Sequence, residues 1–243
     1  MKQPRKREFT INGAVLNMAV DETMIGLGTS EAFAVMLQAD TGEEVWTMRC
    51  EEDEVCSRME KTDELVQVQL SIAKDVVVTV TTSGQVTVWD IRNHEICYRE
   101  AHHGHIPIYG VCAFGDLIVT GGSDGSLAIL TVNKTQQRVQ FESLTRNVGQ
   151  INHLDCDMDY LLMSTAENMK LYSLADRANP KVINTAPTGP VNVCALAYPF
   201  AAVTCFEQKG IEVWDMVGCV KIRHLHASIG FRLLHIKERD GII

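Results

Sequence analysis

None of the eight cysteines belongs to a Cys-x-x-Cys pair, so the commonest thiol motifs for metal and redox chemistry are absent. Positive charge is also scarce. Lys and Arg number 22 against 31 Asp and Glu, for a net charge of −9. A nucleic-acid surface needs a basic face to neutralise phosphates, so no nucleic-acid partner is expected. No long hydrophobic run exists. The longest, Val193 to Phe206, is too short to span a bilayer and contains Pro199; two buried strands joined at Tyr198-Pro199 describe it better, and no membrane association is expected. A secretory leader is not evident either, because the stretch after the basic Met1 to Arg7 is broken by Asn12, Gly13 and Asn17. Unpaired cysteines then behave as small buried residues in a reducing compartment, and a cytoplasmic setting is expected. Pro4-Arg5-Lys6-Arg7 leaves a nuclear one open, although a frayed basic arm over residues 1–10 is the simpler reading.

What the chain does have is an apolar content of 46% with 22% charged residues, the balance of an ordered protein rather than a disordered one. Its acidity is concentrated. Residues 43 to 64 hold Glu43, Glu44, Glu51, Glu52, Asp53, Glu54, Glu60, Asp63 and Glu64 against Arg49, Arg58 and Lys61.

A repeat runs through the sequence. Gly84 to Asp90 (GQVTVWD) and Gly210 to Asp215 (GIEVWD) each place a turn glycine before an alternating strand that ends in Trp-Asp. Gly125 to Thr131 (GSLAILT) and Asn168 to Ser173 (NMKLYS) are weaker copies. With the Trp position as marker, Trp89, Leu130, Tyr172 and Trp214 stand 41, 42 and 42 residues apart. Each marker strand follows a β-branched run and, before that, a further alternating strand; a fourth strand comes after it. Turn residues separate them, and no helical periodicity intervenes. Four short strands per unit cannot bury their own faces, so the units must stack. Radial stacking of four-stranded antiparallel sheets makes a β-propeller, an all-β fold. A first unit carries its marker at Leu37, about ten residues too far from Trp89, which places an acidic insertion over residues 50–63 that is expected to be mostly exposed. The expected units are 11–49, 64–103, 104–145, 146–187 and 188–228, with a partial sixth over 229–243.

These residues resemble the WD-repeat family from about residue 11 onward. Gly104-His105 stands where that family has its Gly-His. The resemblance implies a buried His, Ser/Thr, Asp and Trp set in each blade. On this sequence it maps to His105, Thr120 and Asp124 in the third unit, with Leu130 in place of the Trp. In the second it maps to Thr79 and Trp89, with Ser83 at the Asp position; in the fifth, to Thr204 and Trp214. Each indole N–H is then expected on its own threonine. No unit has the full set. The family also implies docking on the rim that bears the loops entering each first strand. Gln67, Tyr109, Asn152, Asn192 and Arg232 occupy that offset, with Glu207 as an added charge.

No residues suggest catalysis, a metal site, a cofactor or a small-molecule substrate. His102-His103-Gly104-His105 reads as a connecting loop with one structural histidine. Gly121 to Gly125 reads as a tight β-turn, since no helix or Lys-Ser/Thr follows. Cys112, Cys156 and Cys194 recur in the first strand of successive units, as packing residues do. The expected function is a non-enzymatic scaffold or adaptor that binds other proteins or peptides on the rim. Two alternatives stand beside it: substrate recognition in a ubiquitin ligase of the F-box/WD type, if the chain is a fragment, and a propeller-fold hydrolase.

Overall fold

The computed structural model describes residues 11, 14–20, 23–30, 33–50, 65–71, 75–104, 106–133, 138–145, 149–175, 181–183, 191–205 and 210–226. Among them are twenty strands in five four-stranded sheets and no helix. The first sheet consists of β1 (Val15–Val20), β2 (Met24–Thr29), β3 (Phe33–Gln38) and β4 (Glu44–Arg49). The second has β5 (Leu65–Ser71), β6 (Val76–Thr81), β7 (Val86–Asp90) and β8 (Glu95–Glu100). The third has β9 (Ile108–Phe114), β10 (Leu117–Gly122), β11 (Leu127–Asn133) and β12 (Arg138–Thr145). The fourth has β13 (Ile151–Cys156), β14 (Tyr160–Thr165), β15 (Met169–Ser173) and β16 (Lys181–Ile183). The fifth has β17 (Val191–Ala197), β18 (Phe200–Cys205), β19 (Gly210–Asp215) and β20 (Val220–His226). Each sheet is an antiparallel meander in sequence order. The markers Leu37, Trp89, Leu130, Tyr172 and Trp214 all fall in third strands, as the spacing predicts.

Stacking explains the composition of the middle strands. β6 reads VVVTVT, and all six residues are buried. One face, Val76, Val78 and Val80, packs with Val86 and Val88 against Ile108, Val111, Ile118, Leu130 and Val132 of the third sheet. The other face brings Val77 and Trp89 against Met24, Ala34, Met36 and Met48 of the first. A strand covered on both sides has no solvent face, so it carries a continuous β-branched run instead of an alternation.

First strands form the inner layer. β5 packs against β1 and β9, β13 against β9 and β17; β17 and β1 share no comparable packing among the described residues. The fit between the third and fourth sheets is close. A Cβ at Gly110 would lie 2.7 Å from Leu154 Cγ, and one at Gly121 2.8 Å from Ile151 Cγ2. Glycine at both positions lets the backbone of β9 and β10 approach β13.

Three expectations fall on residues outside the described set: the basic arm 1–10, the partial unit 229–243 with Arg232, and the acidic segment 51–64. The exception within the insertion is Cys50. It was expected in an exposed loop and is instead 1% exposed, packed among Met36, Met48, Val77 and Trp89. An uncharged thiol beside an apolar cluster gains more from burial than from water.

Candidate protein-interaction rim

In the third blade a polar chain links the loop before β9 to the β10–β11 turn. Thr120 Oγ1 lies 2.9 Å from His103 Nε2, and His103 Nδ1 lies 2.7 Å from Ser126 Oγ. The Ser126 hydroxyl in turn donates to Asp124 Oδ1 at 2.6 Å. Burial holds the His103 imidazole below its ordinary pKa, so the neutral ring serves as donor on one nitrogen and acceptor on the other. This corrects the assignment of the structural histidine to His105, which lies outside the described residues; Thr120 is bonded by His103, two positions earlier. Thr120 and Asp124 are both joined to the chain, Asp124 through Ser126. Gly122 must lack a side chain here, because a Cβ would sit 2.5 Å from Asp124 Oδ1 and 2.8 Å from His103 Nδ1.

In the second blade Trp89 Nε1 donates to Thr79 Oγ1 at 3.0 Å, as expected. Thr79 also hydrogen-bonds the Cys50 thiol, whose pKa is pushed up to about 11 chiefly by burial. Cys50 thus takes the place on Thr79 that His103 takes on Thr120. The acidic segment that follows Cys50 enters the chain between this residue and the first strand of its blade.

The fifth blade departs from the pattern. Trp89 pairs with Val77, twelve residues earlier, but Trp214 pairs with Ala201, thirteen earlier. The pairing register of β18 with β19 is thus offset by one residue from that of β6 with β7, and one residue turns a side chain to the opposite face. Val203 therefore stands at the place of Thr79, and Thr204 points away from Trp214. Among the described residues its buried hydroxyl finds no partner. The indole N–H donates instead to Glu212 Oε2 at 3.2 Å. Glu212 is 1% exposed, and its other oxygen accepts from Lys221 Nζ at 3.0 Å, with His224 Nδ1 at 3.7 Å. A buried carboxylate requires such partners.

Polar bonds also join the fourth and fifth blades. Asn152 Nδ2 donates to the Val191 carbonyl at 2.8 Å, and Leu196 N–H donates to Asp155 Oδ2 at 2.7 Å. His153 Nδ1 lies 3.7 Å from Cys194 Sγ. Burial raises the Asp155 carboxyl to about 6 and lowers the His153 imidazole to about 4. On the opposite face of β13, Cys156 is hydrogen-bonded to Cys112 of the third blade. The cysteines of the inner strands are packing groups with raised thiol pKa at Cys112 and Cys194, both through burial.

The expected rim residues share a feature that spacing alone does not reveal. Each first strand carries one β-bulge near its start. The pairing skips a residue between Val15 and Asn17, Leu65 and Gln67, Ile108 and Gly110, Ile151 and His153, and Val191 and Val193. The bulged residues are Leu16, Val66, Tyr109, Asn152 and Asn192. Bulges re-aim a side chain out of the ladder. Tyr109, Asn152 and Asn192 are thus equivalent, as expected, and all are partly buried. Gln67 is displaced by one: it pairs with Val80, and Val66 holds the equivalent position. Glu207 and Arg232 lie outside the described residues.

Among the described residues no group of three or more His, Cys, Asp or Glu side chains is arranged to hold a metal ion. No protein-family model matches the chain, and no curated protein matches it. Solved structures do. One described as "Structure of U3-55K", a WD40 β-propeller protein, superposes with a TM-score of 0.71 at 10% sequence identity. The match covers 86% of this chain and 63% of that one, so this chain corresponds to less than two thirds of its neighbour's length. Five stacked antiparallel sheets and this likeness give the chain the fold of a WD-type β-propeller.

Proposed function

We propose that the chain is a non-enzymatic scaffold that binds a protein or peptide on the rim formed by the starts of its first strands. The observation that carries this reading is the repeated bulge. It sets Tyr109, Asn152 and Asn192 at one offset on three neighbouring inner strands, each backed by a packed sheet. Rigid elements hold binding side chains more precisely than free loops do. Asn152 is bonded to the next blade, and Tyr109 offers the largest side chain of the three. Tyrosine supplies a large contact area with little entropy to lose and is a frequent energetic anchor.

Affinity capture with the intact chain tests the proposal. Tyr109→Ala is expected to weaken a rim partner by about 2 kcal/mol or more while the melting temperature stays within a degree or two. If Tyr109→Ala and Asn192→Ala both leave every captured protein at wild-type level, this rim is not the binding face.

A further inference from the structure

Among the described residues, the opposite rim holds the more apolar surface. It is built from the turns between first and second strands. In the third blade that turn is Phe114 to Leu117, in the fourth Cys156 to Tyr160, and in the fifth Ala197 to Phe200. β9, β13 and β17 run the same way, so the three turns lie side by side. Three contacts show this. Cys112 is bonded to Cys156; two residues beyond them lie Phe114 and Met158, 43% and 73% exposed. Leu196 N–H is bonded to Asp155; two residues beyond Leu196 lies Tyr198, which stacks on Tyr160 at 4.0 Å between ring centroids. Near the bulged rim, by contrast, the exposed residues of these blades that the structure describes are small or polar, among them Asp124, Gly149, Gln150, Ala166 and Glu167. Exposed Phe, Met and paired Tyr at adjacent turns are the residue types that anchor protein contacts.

Within the three turns themselves the charge has one sign. The three turns contain Asp116, Asp157 and Asp159 and no Lys, Arg or His. Asp157 is held in place, its Oδ1 accepting from the backbone N–H groups of Asp159 and Tyr160 at 2.9 and 2.8 Å. Asp116 and Asp159 are exposed. We propose that this face is a second docking surface, and that its occupant is a basic peptide segment. Apolar side chains of that segment cover Phe114, Met158 and the Tyr160–Tyr198 pair, and its Arg or Lys residues meet Asp116, Asp157 and Asp159. Tyrosine rings and carboxylates both attract a guanidinium, the rings through their faces and the acids through charge. With the bulged rim engaged by a different protein, the propeller joins two partners across its thickness.

Selection from a displayed library of random peptides on the full-length chain tests the proposal. Selected sequences are expected to pair Arg or Lys with Leu, Met or aromatic residues. A synthetic peptide of that sequence is expected to lose at least about tenfold in affinity on Met158→Ser and again on Asp159→Lys, with unchanged melting temperature. Tyr109→Ala and Asn192→Ala are expected to bind it normally, which separates this surface from the rim proposed above. Because Asp159 is exposed, its variant remains informative even if Met158→Ser destabilises the turn. Failure to select any peptide, selection of sequences without basic residues, or full binding by Asp159→Lys overturns the proposal; so does loss of binding on Tyr109→Ala alone.

Discussion

The second and fifth blades share a Gly-to-Trp-Asp signature, yet their tryptophans are held by different chemistry. Trp89 donates to a neutral threonine hydroxyl, itself bonded to a thiol. Trp214 donates to a buried carboxylate that also binds Lys221 and lies beside His224. A one-residue offset in register separates the threonines: Thr79 faces Trp89 in the second blade, whereas Thr204 lies on the other face in the fifth. Glu212 stands two residues before Trp214 in the same strand and so shares its face, where the second blade has Thr87. The interfaces differ in the same sense. The second blade meets the third through valines and isoleucines, whereas the fourth meets the fifth through Asn152, His153 and Asp155 as well as apolar groups. Position in a repeat therefore determines burial, and local register determines which polar group answers it.

The largest expected effect tests what the two blades have in common. Trp89→Ala and Trp214→Ala should each cost about 3–5 kcal/mol in denaturant unfolding, because both indoles fill space between sheets. A much smaller cost at one site would mean that its blade can collapse around the cavity.

The polar interface comes next. Asp155 has a folded-state pKa of about 6, above the ordinary 3.8, so its contribution is fully present below 3.8 and is lost as pH rises through 6. His153 has a folded-state pKa of about 4, below the ordinary 6.5. Its contribution is present above 6.5 and is lost as pH falls through 4. The two trends oppose each other over nearly the same window, so the native protein should show little pH dependence from this interface between 4 and 6.5. Asp155→Asn is expected to raise stability at pH 7.5 by about 2 kcal/mol, through removal of a buried charge. It should also leave the acid loss from His153 uncompensated. Melting curves across that range check both effects; a variant less stable than wild type at pH 7.5 would show that the hydrogen bonds Asp155 accepts from the Leu196 and Cys156 backbone N–H groups outweigh the burial of charge.

Smaller effects distinguish the two threonines. Thr79→Val strands the Trp89 N–H and should cost about 1–3 kcal/mol. Thr204→Val removes a buried hydroxyl that has no partner among the described residues and should be neutral or stabilising by up to about 1 kcal/mol. The two residues stand at the same distance before their tryptophans in sequence, so opposite signs at these sites would isolate the consequence of the shifted register. Equal losses would contradict the register of β18 and β19.

Much of the fold was legible because its signals are local and repeated. Valine-rich middle strands, turn glycines and markers near 42 residues apart each reflect a chain that must cross the same stacked layers again. The rim was legible only in part. Equal offsets located Tyr109, Asn152 and Asn192, but Gln67 missed by one, since a bulge shifts pairing without changing the look of a strand. Glu212 left no signal: a glutamate two residues before a tryptophan in a strand is ordinary until the sheets enclose it. Cys50 was obscured by the acids beside it. The apolar opposite rim escaped notice because Phe114, Met158 and Tyr198 lie about forty residues apart, and stacking alone unites them.

By itself, the sequence determined the all-β character, the four-strand unit, its period and the identity of the marker strands, because strand patterning depends on alternation and turns within a few residues. Tertiary structure alone decided which histidine bonds Thr120, which group accepts the hydrogen bond of the Trp214 indole, and which rim carries the exposed aromatic surface. Those outcomes depend on register shifts of a single residue and on contacts between blades, and both become definite only when the sheets are packed together.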